Sequence, residues 1–243
     1  MDSQKLLDKG YIRLIETWGS DERIVESARM STQKGFEGWG TEKEPGDEKL
    51  LRFLYENKHT TPFEMAGATI EVKAPIMVFR EWHRHRTMSY NEASARYGKL
   101  PDENYVPDVQ DVTARARAAL QTKNKQAQGV VSVPPTEDQV SEWLANLNRA
   151  YNTCEEVYLK GLEIGIPKEL ARLPVTVGRY SKMRASANLL NLIKFIGLRS
   201  APNAQKEIRV YSNALYGILK SYFPRTFKFV SENYSDFNLQ ELA

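Results

Sequence analysis

Along positions 11–19 the order YIRLIETWG sets Ile12 and Leu14 to one side and polar Arg13 to the other, the two-residue period of a half-buried strand. The period then lengthens. In SDERIVESARMS (20–31), Ile24 and Ala28 share a helical face, Ser20 is placed to cap it, and acidic residues fill the first turn. Glycine and charge dominate KGFEGWGTEKEPGDEK, which predicts a mobile loop. From Asp47, the residues Leu50, Leu51, Leu54 and Tyr55 return to helical spacing until the polar corner NKHTTPFE, and ATIEVKAP alternates as a strand closed by Pro75.

Beyond Pro75 the helical period resumes with Ile76, Phe79, Trp82 and His83. Proline suits a first helical position, where its missing N–H would have had no partner. This helix is expected to run into RHR (84–86), and TMSYNEASARYGKLPDENYVP is expected to be an ordered loop. ARARAALQTKNKQ reads as an exposed basic helix that VVSVPPT breaks. Thr136 and Gln139 form a capping box for the longest helix, which passes Trp143, Leu147, Tyr151, Cys154 and Tyr158 on its way to Gly165 and Pro167. A short helix at PKELARL, strand-like alternation in VTVGRYSKMRAS and a helix LLNLIKFIGLR capped by Asn188 follow. A last amphipathic helix gathers Ile208, Tyr211, Leu215 and Leu219. Stretches 34–47 and 127–136 are expected to be mobile. Without a βαβ rhythm, an internal repeat or a linker, the pattern predicts one α+β domain over 1–243, a mixed sheet with a long helical layer.

Composition narrows the function classes. The 243 residues are enough to bury a core, and 34 basic against 31 acidic residues leave a net charge of +3, too weak a field to announce a polyanion partner. One cysteine, no membrane-length apolar run and no leader-like start predict a cytoplasmic chain without internal disulfides. Neither a CxxC pair nor a glycine-rich phosphate loop occurs.

The chemistry is concentrated in REWHRHRTMSYNEASARY (80–97), with four arginines, two histidines and two glutamates in eighteen positions. Arg84, His85 and Arg86 fan over roughly 200° on a continuous helix, so they address one ligand only if the helix is ending there. If the chain turns back at Tyr90 and Asn91, then Glu92, Ser94 and Arg96 alternate onto one side of an extended segment and can meet Arg84 across a small cleft. Arginine forks and the Ser94 hydroxyl would seat a phosphate there. Trp82, Tyr90 and Tyr97 among the charges suggest partial burial. A structural ion-pair network and a ligand site both satisfy that pattern. His83 and His85 sit among arginines that would repel a metal cation, so no metal site is expected. Cys154 lies on an apolar stripe and reads as core.

The form RHR, seven residues, then Ser, with SYNE inside it and ARY after it, occurs together with HTTPFE upstream and GLRSAPNAQKEI downstream. This combination resembles the flavin-dependent thymidylate synthase family from about Leu6 to about Phe227. The resemblance implies a homotetramer with active sites at subunit junctions that converts dUMP to dTMP using FAD, NADPH and methylenetetrahydrofolate. It implies a nucleotide seat of Glu81, Arg84, Glu92, Ser94, the backbone N–H of Ala95, Arg96, Arg172 and Arg199. It implies flavin contacts from Thr61, Glu64, Arg84, His85, Arg86, Thr87, Asn91, Asn188 and Leu198. His59 corresponds to a histidine near the reacting centre, Ser94 to a residue that positions dUMP, and Arg199 to the group that stabilises charge on the pyrimidine. Reduced flavin removes the need for a cysteine nucleophile.

Several positions depart from the family pattern. Glu81 stands where many relatives have glutamine, Leu190 and Lys194 where some present arginine and asparagine, and Asn203 where histidine is frequent. A UMP methylase, or a hydroxymethylase, of the same family is the nearest alternative. From another class, Arg115, Arg117, Lys123 and Lys125 motivate an RNA or single-stranded DNA binder, against which the small net charge counts.

Overall fold

The computed structural model describes residues 3–41, 43–44, 46–130 and 132–233. Its frame is a five-stranded sheet of β1 (Gln4–Leu6), β2 (Gly10–Trp18), β3 (Gly67–Pro75), β4 (Ser89–Glu92) and β5 (Tyr180–Asn188), in the spatial order β1-β2-β3-β5-β4. Every pairing is antiparallel, so the mixed sheet expected from the sequence is corrected to a fully antiparallel one. The cause is connectivity: no strand is followed by a single crossover helix and a parallel neighbour.

Alternation explains the sheet's two faces. Ile12 and Leu14 of β2, Ile70 and Val72 of β3, and Met183 and Ala185 of β5 point inward and are buried, while Arg13, Glu71 and Arg184 point outward. Helices cover the inner face: α3 (Ile76–Trp82) lies on β3, α7 (Leu189–Arg199) on β3 and β5, and α8 (Lys206–Tyr222) on β2. The stripe read from the sequence of α8 holds, with Ile208, Tyr211, Leu215 and Leu219 all at 0% exposure. Trp82 is equally buried. It stacks on Phe195 of α7 at 4.5 Å and meets Tyr211 edge-on at 6.4 Å. Replacing such an aromatic by alanine typically costs about 3–5 kcal/mol, so this contact pins the end of α3 to the helical layer.

The other helices are α1 (Asp21–Arg29), α2 (Gly46–Glu56), α4 (Val109–Ala118), α5 (Glu137–Glu163), the short α6 (Lys168–Ala171) and α9 (Pro224–Asn233). The expected caps form. Ser20 accepts from the Arg23 N–H, Asn188 from the Asn191 N–H, and Thr136 with Gln139 closes a reciprocal capping box. Cys154 is half-buried rather than core, on a helix whose neighbours Thr153 and Val157 are exposed while Glu155 and Tyr158 are buried. Both stretches expected to be mobile contain residues outside the described set. Within the first, 34–47, the buried Asp47 carboxylate accepts the N–H groups of Glu37 and Gly38 and pairs with Arg29, which ties the described part of the loop to α1.

Candidate active site

Pro75 closes the β3 ladder opposite Tyr180 and is the residue before α3, not its first helical residue; its ψ of 143° is extended. The helix stops at Trp82, with His83 as C-cap, two residues sooner than a run into RHR would require. Beyond it the backbone tightens to i+3 turns, the His85 N–H donating to the Trp82 carbonyl (3.0 Å) and the Met88 N–H to the His85 carbonyl (3.3 Å). The Tyr90 hydroxyl lies within hydrogen-bond distance of the same two oxygens (3.0 and 2.7 Å), which favours the turn over a continued helix. Arg84, His85 and Arg86 therefore occupy a turn, in which His85 is half-buried and the two arginines are exposed.

That turn also corrects the expected cleft. The chain reverses before Ser89, not at Tyr90 and Asn91, and residues 89–92 form β4, an edge strand paired with β5 from Ser89–Ser186 to Glu92–Met183. After it the chain coils again. The N–H groups of Tyr97 and Gly98 donate to the Ser94 carbonyl, and the Arg96 N–H donates to Ser94 Oγ at 3.2 Å. Glu92, Ser94 and Arg96 are consequently not aligned on an extended segment, and no described contact joins them to Arg84. Nor are the arginines partly buried: Arg84, Arg86 and Arg96 are exposed, although Trp82 beneath them is not.

The candidate residues fall into three groups. At the C-terminal ends of α3 and α7, Arg199 donates from Nε to His85 Nε2 (3.0 Å), from Nη1 to Glu81 Oε2 (2.8 Å) and from Nη2 to the Glu81 carbonyl (2.9 Å). The His85 ring lies edge-on to Phe195 at 4.8 Å. Burial, and then the neighbouring Arg199 charge, lower the His85 pKa to about 4, so the ring is neutral at pH 7 and accepts from Nε. Burial raises the Glu81 pKa, the Arg199 charge opposes it, and the Glu207 carboxylate of α8 adds to it. Arg84, Arg86 and Thr87 project beside this cluster, and their side chains have no partner among the described residues. Leu198 is exposed on the last turn of α7.

The second group lies at the other end of α7, about 16 Å away for an eleven-residue helix. There the turn Thr61–Met65 packs against α7 and the end of β5, presenting exposed Thr61 and Glu64 near Asn188. His59, exposed just before this turn, sits 5.4 Å from the Phe53 ring. The third group lies along β4 and the coil after it: Asn91, Glu92, Ser94, Ala95 and Arg96, with Arg172 nearby. Lys168 donates to the Tyr97 carbonyl (3.0 Å) and Glu169 pairs with Arg96 (3.4 Å), which brings α6 and its exposed C-cap Arg172 to this coil. The Ala95 N–H has no partner among the described residues. One chain thus assembles Glu81, His85 and Arg199, and among the described residues no side-chain contact joins the second or third group to them.

Sequence reasoning missed an open cleft of about 260 Å³ on the outer sheet face, lined by Glu71, Asn91, Glu92, Ala93, Lys182, Met183 and Arg184. Burial would raise the Glu71 pKa, yet the hydrogen bond from Tyr11, the Arg13 charge and hydrogen bonds from Arg184 and Arg13 hold it below the usual carboxylate range. The alternation in YSKMRAS, with Lys182 and Arg184 on one face, was the available signal.

Residues 13–225 match the family described as thymidylate synthase complementing protein. The chain belongs to this family. Among curated relatives, a flavin-dependent thymidylate synthase of Anaplasma marginale is 37% identical over 90% of this chain and 71% of its own length. One of Treponema denticola is 39% identical over 100% of this chain and 88% of its own. Among solved structures, a UMP/dUMP methylase from Streptomyces cacaoi with bound 5-Br UMP superposes with a TM-score of 0.77 at 29% identity, covering 92% of this chain and 94% of that one. The same methylase with 5-Br dUMP gives 0.76 at 28% identity. Family membership turns the expected α+β class and the RHR-x7-S resemblance into findings.

Proposed function

We propose how this chain's residues carry the reaction. The protein is a flavin-dependent thymidylate synthase, a methyltransferase that converts dUMP to dTMP. Its reading as FAD-dependent, with methylenetetrahydrofolate as carbon donor and NADPH as reductant, rests on the donor set at the turn after α3. The exposed guanidinium groups of Arg84 and Arg86 and the Thr87 hydroxyl have no partner in the described chain, and such forks match the oxygens of a dinucleotide's diphosphate. Thr61, Glu64, Asn91, Asn188, Leu198 and His85 complete the set. A flavin held there would supply the reducing hydride, so that no cysteine nucleophile is asked of the chain.

The protein's own part is to hold and polarise. Arg96, Arg172 and Arg84, with the free Ala95 N–H and the Ser94 hydroxyl, take the nucleotide phosphate and sugar, and Glu92 orients the base edge. Arg199 faces the pyrimidine and stabilises the negative charge that develops as C5 becomes nucleophilic. Ser94 positions the nucleotide and does not attack it. His59 stands at the rim of the reacting centre. Since the three groups are separate in one chain, a homotetramer in which neighbouring subunits complete each site accounts for their separation.

The single observation that carries this reading is the Glu81–His85–Arg199 cluster beside two unpartnered arginines, in a chain of this family. A second reading, methylation of UMP as well as dUMP, is favoured by the likeness to the Streptomyces methylase and by the charge that Glu81 brings to the site. Supplying dUMP and UMP in parallel with FAD, NADPH and methylenetetrahydrofolate, with products read by mass spectrometry, tests both. A 14-dalton gain on dUMP supports the first reading and an equal gain on UMP the second. No modified nucleotide in either arm would contradict them.

A further inference from the structure

Three of the five N–H groups of a guanidinium are the measure of how firmly Arg199 is held: Nε–H goes to His85, one Nη1–H to the Glu81 carboxylate, and one Nη2–H to the Glu81 carbonyl. Glu81 alone supplies two of these acceptors from one residue, on a helix whose end is fixed by the Trp82–Phe195 stack. His85 supplies the third from a ring that packs on the same Phe195. The two remaining N–H groups are then the ones left to meet a ligand. Arg199 keeps 20% side-chain exposure and Glu81 27%, so the pair is screened from bulk water but open on one side.

We propose that Glu81 is the positioning residue of Arg199: its carboxylate and carbonyl together fix the plane of the guanidinium, so that two N–H donors are presented to the pyrimidine before any ligand arrives. This rests on the reading of Arg199 as the cation facing the base. It differs from the expectation that Glu81 touches the nucleotide itself. A residue spent on two hydrogen bonds to Arg199 acts through Arg199, and its negative charge lowers the net field the nucleotide meets. Glutamine at this position keeps an acceptor for Nη1 but not the charge. Alanine keeps only the backbone carbonyl.

The groups facing Glu81 are Arg199 from α7, His85 from the turn and Glu207 from α8, and Glu207 is itself neutralised by Arg115 of α4. Of these, Glu81 is the carboxyl group whose protonation breaks the ion pair, and burial moves that protonation to higher pH than an ordinary glutamate. An acid limb in turnover set by Glu81 is the result.

The test has an arm that needs neither flavin nor substrate. Protein labelled with 15N-arginine, with the Arg199 Nη1–H that donates to the Glu81 carboxylate assigned by its loss in R199K, is followed for solvent exchange at low temperature. Slow exchange is expected in the parent and in E81Q, and fast exchange in E81A. In the second arm, kcat is expected to fall about 10- to 100-fold in E81A, the size typical of a misplaced catalytic group, with a smaller change in KM for the nucleotide. E81Q is expected to lose less kcat and to lack the acid limb. Slow exchange in E81A, or parental kcat in E81A, overturns the proposal. So does an unchanged acid limb in E81Q with losses in E81A that merely follow its melting temperature. If the parent modifies neither nucleotide, the functional reading fails and the exchange arm alone decides: fast exchange in E81A upholds the clamp, slow exchange rejects it.

Discussion

Arg179 and Arg84 are the same side chain in opposite circumstances. Arg179, just before β5, is 1% exposed; it donates to Glu155 of α5 at 2.6 Å and to the Pro101 carbonyl at 2.8 Å. It joins the start of a central strand to the longest helix. Arg84 sits in the turn after α3, exposed and with no side-chain partner among the described residues. A charge taken out of water must be compensated within the chain, so the partnered arginine is part of the fold. A charge left in water costs the fold little and is free for an anion from outside. Arg199 lies between the two, held by the chain on three N–H groups and open on the rest. Partnering, more than residue type or sequence clustering, separates structural from functional arginines here.

The largest test of that contrast is Glu155→Ala. It removes the buried carboxylate from a buried guanidinium, leaving it the Pro101 carbonyl and the half-exposed Asp102 carboxylate at 3.5 Å, and a loss of about 3 kcal/mol in urea-induced unfolding is expected; a loss below about 1 kcal/mol, the range of a surface pair, would break the comparison. Next comes Asp21, buried in α1, whose carboxylate accepts from the N–H groups of Arg225 and Thr226 and from the Thr226 hydroxyl at the start of α9. Asp21→Ala leaves those donors unsatisfied and is expected to cost about 2 kcal/mol by the same measurement.

His85 gives a smaller, pH-dependent effect. Its folded pKa of about 4 lies below the ordinary histidine value of 6.5, so the unfolded chain binds the extra proton first as pH falls. Its stabilising contribution is intact above pH 6.5, declines between about 6.5 and 4, and does not change further below that. The loss is about 1 kcal/mol after solvent screening of a half-exposed ring, and His85→Gln should remove that slope from a series of melts across this range. Smallest of all is the stability change in R84A/R86A, expected to stay within about 0.5 kcal/mol of the parent.

Much of this was readable from local pattern. The caps at Ser20, Thr136 and Asn188 and the stripe of α8 depend on residues within a few positions of one another, and all appear as expected. What escaped depends on distant partners. Strand β4 has no fully buried position, so its alternation leaves no apolar signature. The end of α3 is favoured by a tyrosine hydroxyl eight residues on, and α9 is capped from a residue more than two hundred positions away. In the site, the residue types were legible in RHR-x7-S. Their grouping was not, because Glu81 and Arg199 meet across 118 positions and residues 89–92 are held as β4 along β5.

The central claim is that the unpartnered arginines after α3 hold the flavin. Equilibrium titration of FAD into the parent and into R84A/R86A, each checked by thermal melting, addresses it most directly. The account predicts an undisturbed melt and flavin affinity weakened at least about tenfold, as expected for losing charge-assisted contacts to a diphosphate. Parental affinity in a folded R84A/R86A would contradict it.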